Sequence, residues 1–264
     1  MITGQLTSAK NPLLKEVRRA IARGSLTTEG FCIAETFHLL EEALRSDCFI
    51  PTVITAESVR TTVESHIKGL KQVNLIRVPD ALFAEISATE SSQGVMALVR
   101  PPAWDIDNVF RGQSLVVIVD GLQDPGNAGA ILRAAEAFGA TGAVFLKGSV
   151  SPYNPKAIRA SAGSIFRLPL VTAFDENIAC ATLEQKRVDA YAAVPTGQRT
   201  LSDTDLTRRC ALVIGSEGRG VSTKLRSIAL DLRIPTANVE SLNAAMAAGI
   251  LLYEARRQRL LVIT

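Results

Sequence analysis

Three segments of this 264-residue chain set polar side chains among glycine or alanine, the pattern of a backbone that lets a ligand come close. The first, residues 120–140, reads DGLQDPGNAGAILRAAEAFGA. Pro125-Gly126 forces a turn, Asn127 is suited to cap the helix that follows, and Gly129 allows close backbone approach. Arg133 falls in the second helical turn between Leu132 and Ala134, and an Arg buried near a helix start needs a partner or a ligand anion. The second segment, LVIGSEGRGVS at 212–222, brackets Glu217 with Gly215, Gly218 and Gly220. The third, residues 234–259, runs from a strand end through a polar loop to Ser241, which reads as the cap of a helix. Asn243 lies beside it, where a helix N-terminus leaves N–H groups free. Ala244, Ala245, Ala247, Ala248 and Gly249 follow, although a helix that only fills a core usually carries larger apolar residues.

Each segment has a plain structural reading when taken alone: a salt-bridged strand–turn–helix, a tight hairpin-like turn, and a capped Ala-rich core helix. Two cofactor fingerprints are incomplete, which disfavours the chemistry they mark. The first loop has only Gly126 and Gly129 in place, so it is not GxGxxG, and the second lacks the GK[ST] of a phosphate-cradling Walker loop.

The elements that carry these loops alternate. In the second half, SLVVIVD (114–120) is the continuous β-branched run of a parallel strand buried on both faces, and strands at 143–146, 188–194, 211–215 and 231–235 continue the sheet. Helices fit at 128–138, 155–162, 177–185 and 242–260. The pattern predicts a parallel α/β domain with functional loops beyond the strand C-termini. The pair Pro101-Pro102 separates the halves. Before it, a basic helix (12–23), strands at 31–35, 51–56, 73–78 and 94–99, the helix FHLLEEALRS and a weaker one before Gly69 make a small α/β domain. The expected division is 1–100, a linker at 101–112, and 113–264.

Bulk properties narrow the classes. A 47% hydrophobic and 21% charged composition suits a soluble protein; no apolar run spans a bilayer and the first residues lack a signal-peptide stretch, so a cytoplasmic protein is expected. Cys32, Cys48, Cys180 and Cys210 form no CxxC pair and read as reduced, mostly buried thiols. With only His38 and His66 besides, no metal centre is expected. The net charge of +3 does not by itself argue for nucleic acid. Lys10, Lys15, Arg18, Arg19 and Arg23 crowd the first helix against Glu16 alone, as a solvated face or an RNA-contacting patch.

In order along the chain, DPGNAGAILRAAEAFGA, IRASAGSIFRLPL (158–170), IGSEGRG and ESLNAAMAAGILLYE resemble the SpoU (TrmH-like) family of RNA ribose 2′-O-methyltransferases, in the SPOUT superfamily. The resemblance runs from about 115 to 259, and SAKNPLLKEVRR with FHLLEEAL is similar to the family's N-terminal RNA-binding domain. It implies a C-terminal parallel sheet with a deep trefoil knot, S-adenosyl-L-methionine as cofactor, RNA (rRNA in particular) as partner, and a homodimer through the C-terminal domain whose two subunits both contribute near each site. The resemblance places the cofactor at Gly215, Ile234 and Leu242, with Thr196, Gly197 and Glu217 nearby. It makes Arg133 the residue that activates the 2′-hydroxyl, assisted by Asn127, Ser241 and Asn243, with Glu217 positioning the loop or the target nucleotide. The small alanines would leave room for knotted backbone, cofactor and a partner subunit, and residues from Leu251 onward would pack against that subunit. Family members often have Glu-Gly where this chain has Glu35-Thr36; a turn of non-glycine geometry would reorient the helix after it, with a consequence for the RNA target. Competing readings are a tRNA methyltransferase, a non-catalytic RNA-binding protein of the same fold, and a dinucleotide-dependent enzyme.

Overall fold

The computed structural model describes residues 2–70 and 73–263, which fall into two compact units. Unit 1 comprises residues 1–102 and 153–167, and unit 2 comprises 103–152 and 168–264. A single cut at the Pro101-Pro102 pair therefore does not describe the compact units: residues 153–167 leave the second half of the chain and pack with the first. Unit 1 carries 14 Lys and Arg against 11 Asp and Glu and so holds the whole net charge, while unit 2 balances 15 against 15.

Unit 1 contains β1 (Ile2–Gln5), α1 (Pro12–Arg23), β2 (Cys32–Glu35), α2 (Phe37–Arg45), β3 (Phe49–Ala56), α3 (Arg60–His66), β4 (Asn74–Val78), α4 (Asp80–Ile86) and β5 (Val95–Arg100). The strands form one sheet in the order β1-β4-β3-β5-β2, parallel from β1 to β3, with β5 antiparallel to both neighbours. Leu14, Val17 and Ala20 of α1 and Leu82, Phe83 and Ile86 of α4 close a core over Ile33, Ile54 and Met96. On α1, Arg18 donates to the Ala9 carbonyl and Arg19 pairs with Glu16 at 2.7 Å, so two of the clustered cations are already engaged.

Thr36 corrects an expectation. Its φ of 152° and ψ of 157° are a backbone conformation favoured by glycine, so the turn keeps glycine geometry with a threonine in it. The helix is not released. Thr36 Oγ1 caps α2 by accepting from Leu39 N at 3.1 Å, and Phe37 N donates to Gln93 Oε1 at 2.9 Å.

In unit 2, α5 (Ile106–Val109), β6 (Leu115–Asp120), α6 (Pro125–Ala137) and β7 (Gly142–Leu146) come first. The chain then enters unit 1 as α7 (Pro155–Ser161) and a single 3-10 turn. There Ala157 and Ile158 are buried, and Glu42 of α2 accepts from Arg167 at 2.5 Å and from Arg45 at 2.9 Å. Burial alone would raise the Glu42 carboxyl, but these two guanidinium groups hold it below the ordinary carboxylate range. Back in unit 2 follow β8 (Leu170–Phe174), α8 (Glu176–Gln185), β9 (Asp189–Ala193), β10 (Arg199–Thr200), β11 (Cys210–Gly215), α9 (Thr223–Ile228), β12 (Leu230–Arg233) and α10 (Ala244–Ile263).

The seven strands of unit 2 are ordered β10-β12-β9-β11-β6-β7-β8, and every pair is parallel. Val116 and Ile118 pack on one face with Ala179 and Leu183 of α8 and Leu225 of α9, while Leu115, Val117 and Val119, which alternate with them, are buried on the other. Here α10 packs against α6 and β11. Leu251, Leu252 and Ala255 are fully buried within the chain itself, so the helix beyond residue 251 is not simply a surface for a second subunit. Its far end is tied down by Arg259, which donates to the carbonyls of Leu206, Gln113, Ser114 and Arg208 at 2.6–3.1 Å. Met246, Tyr253, Leu260 and Leu261 remain exposed. All four cysteines are free, and burial raises each thiol, that of Cys210 to about 11. Among the described residues no helix is long and apolar enough to cross a membrane, and no cluster of ligating side chains could hold a metal ion.

Candidate functional site

A cleft of about 550 Å³ opens where β9, β11 and β12 end. Its walls are residues 193–195 at the end of β9, residues 214–220 from the end of β11 through its loop, and the run from Ile234 into the first turn of α10 at Ala247. Loops after adjacent parallel strands meet on one edge of the sheet, so three distant stretches of sequence converge there.

The loop after β11 is shaped by its glycines. Ser216 and Gly220 exchange backbone hydrogen bonds at 2.8 and 3.2 Å, leaving residues 217–219 as a tip, and Gly220 has φ +68°. The returning chain passes so close to Gly215 that a Cβ there would overlap the backbone of Gly220 and Val221. Gly218 has open space around it. The tight turn and the ligand wall are therefore one feature of the same loop.

The two helices beside the loop start differently from the expectation. Asp124, not Asn127, caps α6: its carboxylate accepts from Asn127 N at 2.7 Å, with Pro125 in the first turn. Asn127 is one turn inside, which frees its side chain. Likewise Asn243, not Ser241, caps α10, accepting from the N–H groups of Ala245 and Met246 at 3.0 and 3.2 Å, so the helix begins at Ala244. A hydrogen-bonded chain results. Asn127 Nδ2 donates to Glu217 Oε1 at 2.7 Å, and Asn243 Nδ2 donates to Asn127 Oδ1 at 3.0 Å. One amide thus spans the Gly-rich loop and the start of α10.

Of the ten residues singled out from the sequence, Gly215, Glu217, Ile234, Ser241, Leu242 and Asn243 line the cleft, and Asn127 joins them through its hydrogen bonds. Three do not. Thr196 is exposed on the loop after β9, next to the lining residue Pro195. Gly197 is buried against β12, where a Cβ would stand 3.1 Å from Arg233 N and from Asp231 C. Arg133 is exposed rather than buried, because the helix turns it away from the sheet that covers Ile131 and Leu132; its guanidinium has no hydrogen bond or ion pair with another described residue. Sequence reasoning passed over Asp124, whose place just before Pro125 was the available signal, and over Arg219 and Glu240, which also line the cleft.

A family model described as SpoU rRNA Methylase matches residues 114–253, and one described as MRM3-like substrate binding domain matches residues 11–97. The chain is 32% identical over 96% of its length to an uncharacterized tRNA/rRNA methyltransferase of Synechocystis sp., covering 94% of that protein. It is 28% identical to the 23S rRNA (guanosine(2553)-2′-O)-methyltransferase RlmP of Bacillus subtilis, over 96% of this chain and 99% of that one. Among solved structures it is similar to the SpoU methyltransferase AviRb from Streptomyces viridochromogenes in complex with AdoMet, with a TM-score of 0.86 and 28% identity over 95% of this chain and 99% of that chain.

Proposed function

The chain belongs to the SpoU rRNA methylase family, and from that membership we propose that it transfers a methyl group from S-adenosylmethionine to a ribose 2′-hydroxyl of RNA, with 23S-type rRNA as substrate. The observation that carries this reading is the cleft in which the Gly215–Gly220 loop, Ile234 and Leu242 meet the Glu217–Asn127–Asn243 chain.

The residues present fit such a cofactor. The cleft is within the usual size range for small-molecule sites. Val194, Ile214, Ile234 and Leu242 offer apolar surface to a nucleobase, the backbone of 215–220 offers polar groups, and Ala244 and Ala247 are small enough to leave the space open. Gly215, Ile234 and Leu242 would hold the cofactor, with Thr196 and Gly197 on the adjoining loop. When bound, the cofactor supplies an activated methyl group on its sulfonium. The side chains around it have to hold the ribose in line with that group and to keep water out.

Arg133 is proposed to stabilise the developing alkoxide and to bind the neighbouring phosphate. A guanidinium stays protonated in proteins, so it does not take the proton itself; the RNA phosphate or water receives it. Arg133 sits on the open side of α6, consistent with service near a second subunit's cleft in a homodimer formed through the C-terminal domain. The exposed Met246 and Tyr253 of α10 support that interface. Asn127 and Glu217 hold the loop, and Ser241 and Asn243 present the start of α10 to the ribose.

Residues 1–100 are proposed as the RNA-binding domain, joined through 101–112 to the methyltransferase domain at 113–264; the match of residues 11–97 to a substrate-binding domain and the cations Lys10, Lys15 and Arg23, clustered at the first helix without a side-chain partner among the described residues, support this. We propose further that the methyltransferase domain is tied in a deep trefoil knot. The late insertion of β12 between β10 and β9, and the backbone crowding at Gly197 and Gly215, support it. The RNA substrate makes the cytoplasm the working compartment. Titration with S-adenosylmethionine and NAD, followed by labelled methyl transfer to bulk rRNA and tRNA, tests the reading. Binding of the first alone with label in rRNA is expected. Binding without transfer to any RNA would leave a non-catalytic RNA-binding protein, and transfer to tRNA alone would change the substrate.

A further inference from the structure

Three charged residues line the cleft: Glu217, Arg219 and Glu240. Arg219 is the one cation among the described lining residues. The tip of the Gly-rich loop sets its two charges apart. Glu217 is committed to the amide of Asn127 at 2.7 Å. Arg219 has its backbone fixed by Ser216, whose Oγ accepts from Arg219 N at 3.2 Å, but its guanidinium has no carboxylate or hydrogen-bonding partner among the described residues. Nor is that guanidinium adrift in solvent away from the sheet. Its Nη2 lies over Gly121 at the end of β6, 3.8 Å from where a Cβ at that position would stand.

An arginine held beside a ligand cleft, with five donors unspent, suits an oxyanion that can take a forked pair of hydrogen bonds. We propose that Arg219 anchors an oxyanion of the bound reactants. Its sources are the carboxylate at the amino-acid end of the cofactor and a phosphodiester of the RNA beside the target ribose. The inference rests on the methyltransferase reading above and adds a binding residue to it. It also separates two arginine roles. Arg133, outside the cleft, acts on the reacting oxygen, while Arg219, at its rim, holds a charge that does not react.

The test compares wild type, Arg219→Ala and Arg219→Lys. Affinity for S-adenosylhomocysteine is measured by calorimetry, and affinity for 23S rRNA fragments is measured across a salt series. Because Arg219 is exposed, both variants are expected to melt with the wild type. Arg219→Ala is expected to lose about 10- to 100-fold in one affinity, the range of a charge-assisted hydrogen-bond pair. A loss confined to S-adenosylhomocysteine identifies the carboxylate. A loss confined to RNA, with the slope of log K against log salt reduced by about one, identifies the phosphate. Arg219→Lys should recover part of the lost affinity, since it restores charge without the fork. Both affinities and the salt slope within about twofold of wild type would overturn the inference while leaving the methyltransferase reading intact. A wild type that binds neither ligand would overturn that reading, and the inference with it.

Discussion

The loop after β11 makes two glycines three residues apart respond in opposite directions to one methyl group. At Gly215 a Cβ would occupy space held by three backbone atoms of Gly220 and Val221, none of which belongs to a flexible side chain. Gly215→Ala must therefore push the returning strand outward and break the Ser216–Gly220 backbone pair. Two backbone hydrogen bonds at about 1 kcal/mol each, with about 1–3 kcal/mol for overpacking, give an expected loss of about 3–5 kcal/mol. The tip carrying Glu217 moves with the loop, so affinity for S-adenosylhomocysteine should fall by about tenfold or more. At Gly218 a Cβ meets nothing within 4 Å. Gly218→Ala should be neutral or stabilising by up to about 1 kcal/mol, through the reduced freedom of the unfolded chain. Urea unfolding with unchanged m-value reads the stabilities, and calorimetric titration reads the cofactor site. A Gly215→Ala variant within about 0.5 kcal/mol of wild type, or two variants that lose stability equally, would refute the argument that the loop's own backbone requires glycine at 215 and not at 218.

Three further outcomes follow from the packing. Gly249 lies inside α10 with open space around it, so Gly249→Ala should stabilise the isolated subunit by about 1 kcal/mol. If this face is the subunit interface, the same methyl group should weaken the dimer by about tenfold or more in sedimentation equilibrium, and an unchanged dimer would remove this face from the interface. Arg259→Ala strips the donor from four carbonyls and should lower the unfolding free energy by about 2–4 kcal/mol; a loss below about 1 kcal/mol would mean that water replaces it. Glu16 is bonded by Arg19 and by Thr28, which hold its carboxyl at about 2 against an ordinary 4.5. Since the folded value is the lower one, its contribution is complete above pH 4.5 and is lost as pH falls toward 2. Glu16→Gln should therefore flatten the acid side of the stability curve in that window, and an unchanged acid limb would contradict the pairing.

The strands of unit 2 are readable because a strand buried on both faces must be apolar throughout, and 115–119 and 211–214 are. Short elements were not readable. β1, β8 and β10 are defined by the neighbours they pair with, and α5 and α9 span four and six residues, too few for a helical period to stand out. The caps illustrate a different limit. Asp124 and Asn127, or Ser241 and Asn243, are alternative acceptors a few residues apart. Only the helix start decides between them, and the structure leaves the inner asparagine of the first pair free for Glu217. Leu132 and Ala134 gave no guide to Arg133, since successive helical positions are rotated by about 100° and so face different surroundings. The insertion of residues 153–167 into unit 1 depends on packing of Ala157 and Ile158 and on the Glu42–Arg167 pair, which span more than a hundred residues of sequence.

The most direct test of the central claim is the position of the methyl group. Unmodified 23S rRNA is incubated with the protein and S-adenosylmethionine, digested to nucleosides and analysed by mass spectrometry, with Arg133→Ala alongside. One 2′-O-methylnucleoside is expected with wild type, reduced by at least about a hundredfold with Arg133→Ala, the scale of removing a charge stabiliser from a reacting oxygen. A methyl group on a base, or no methylated nucleoside under conditions where the cofactor binds, would contradict it.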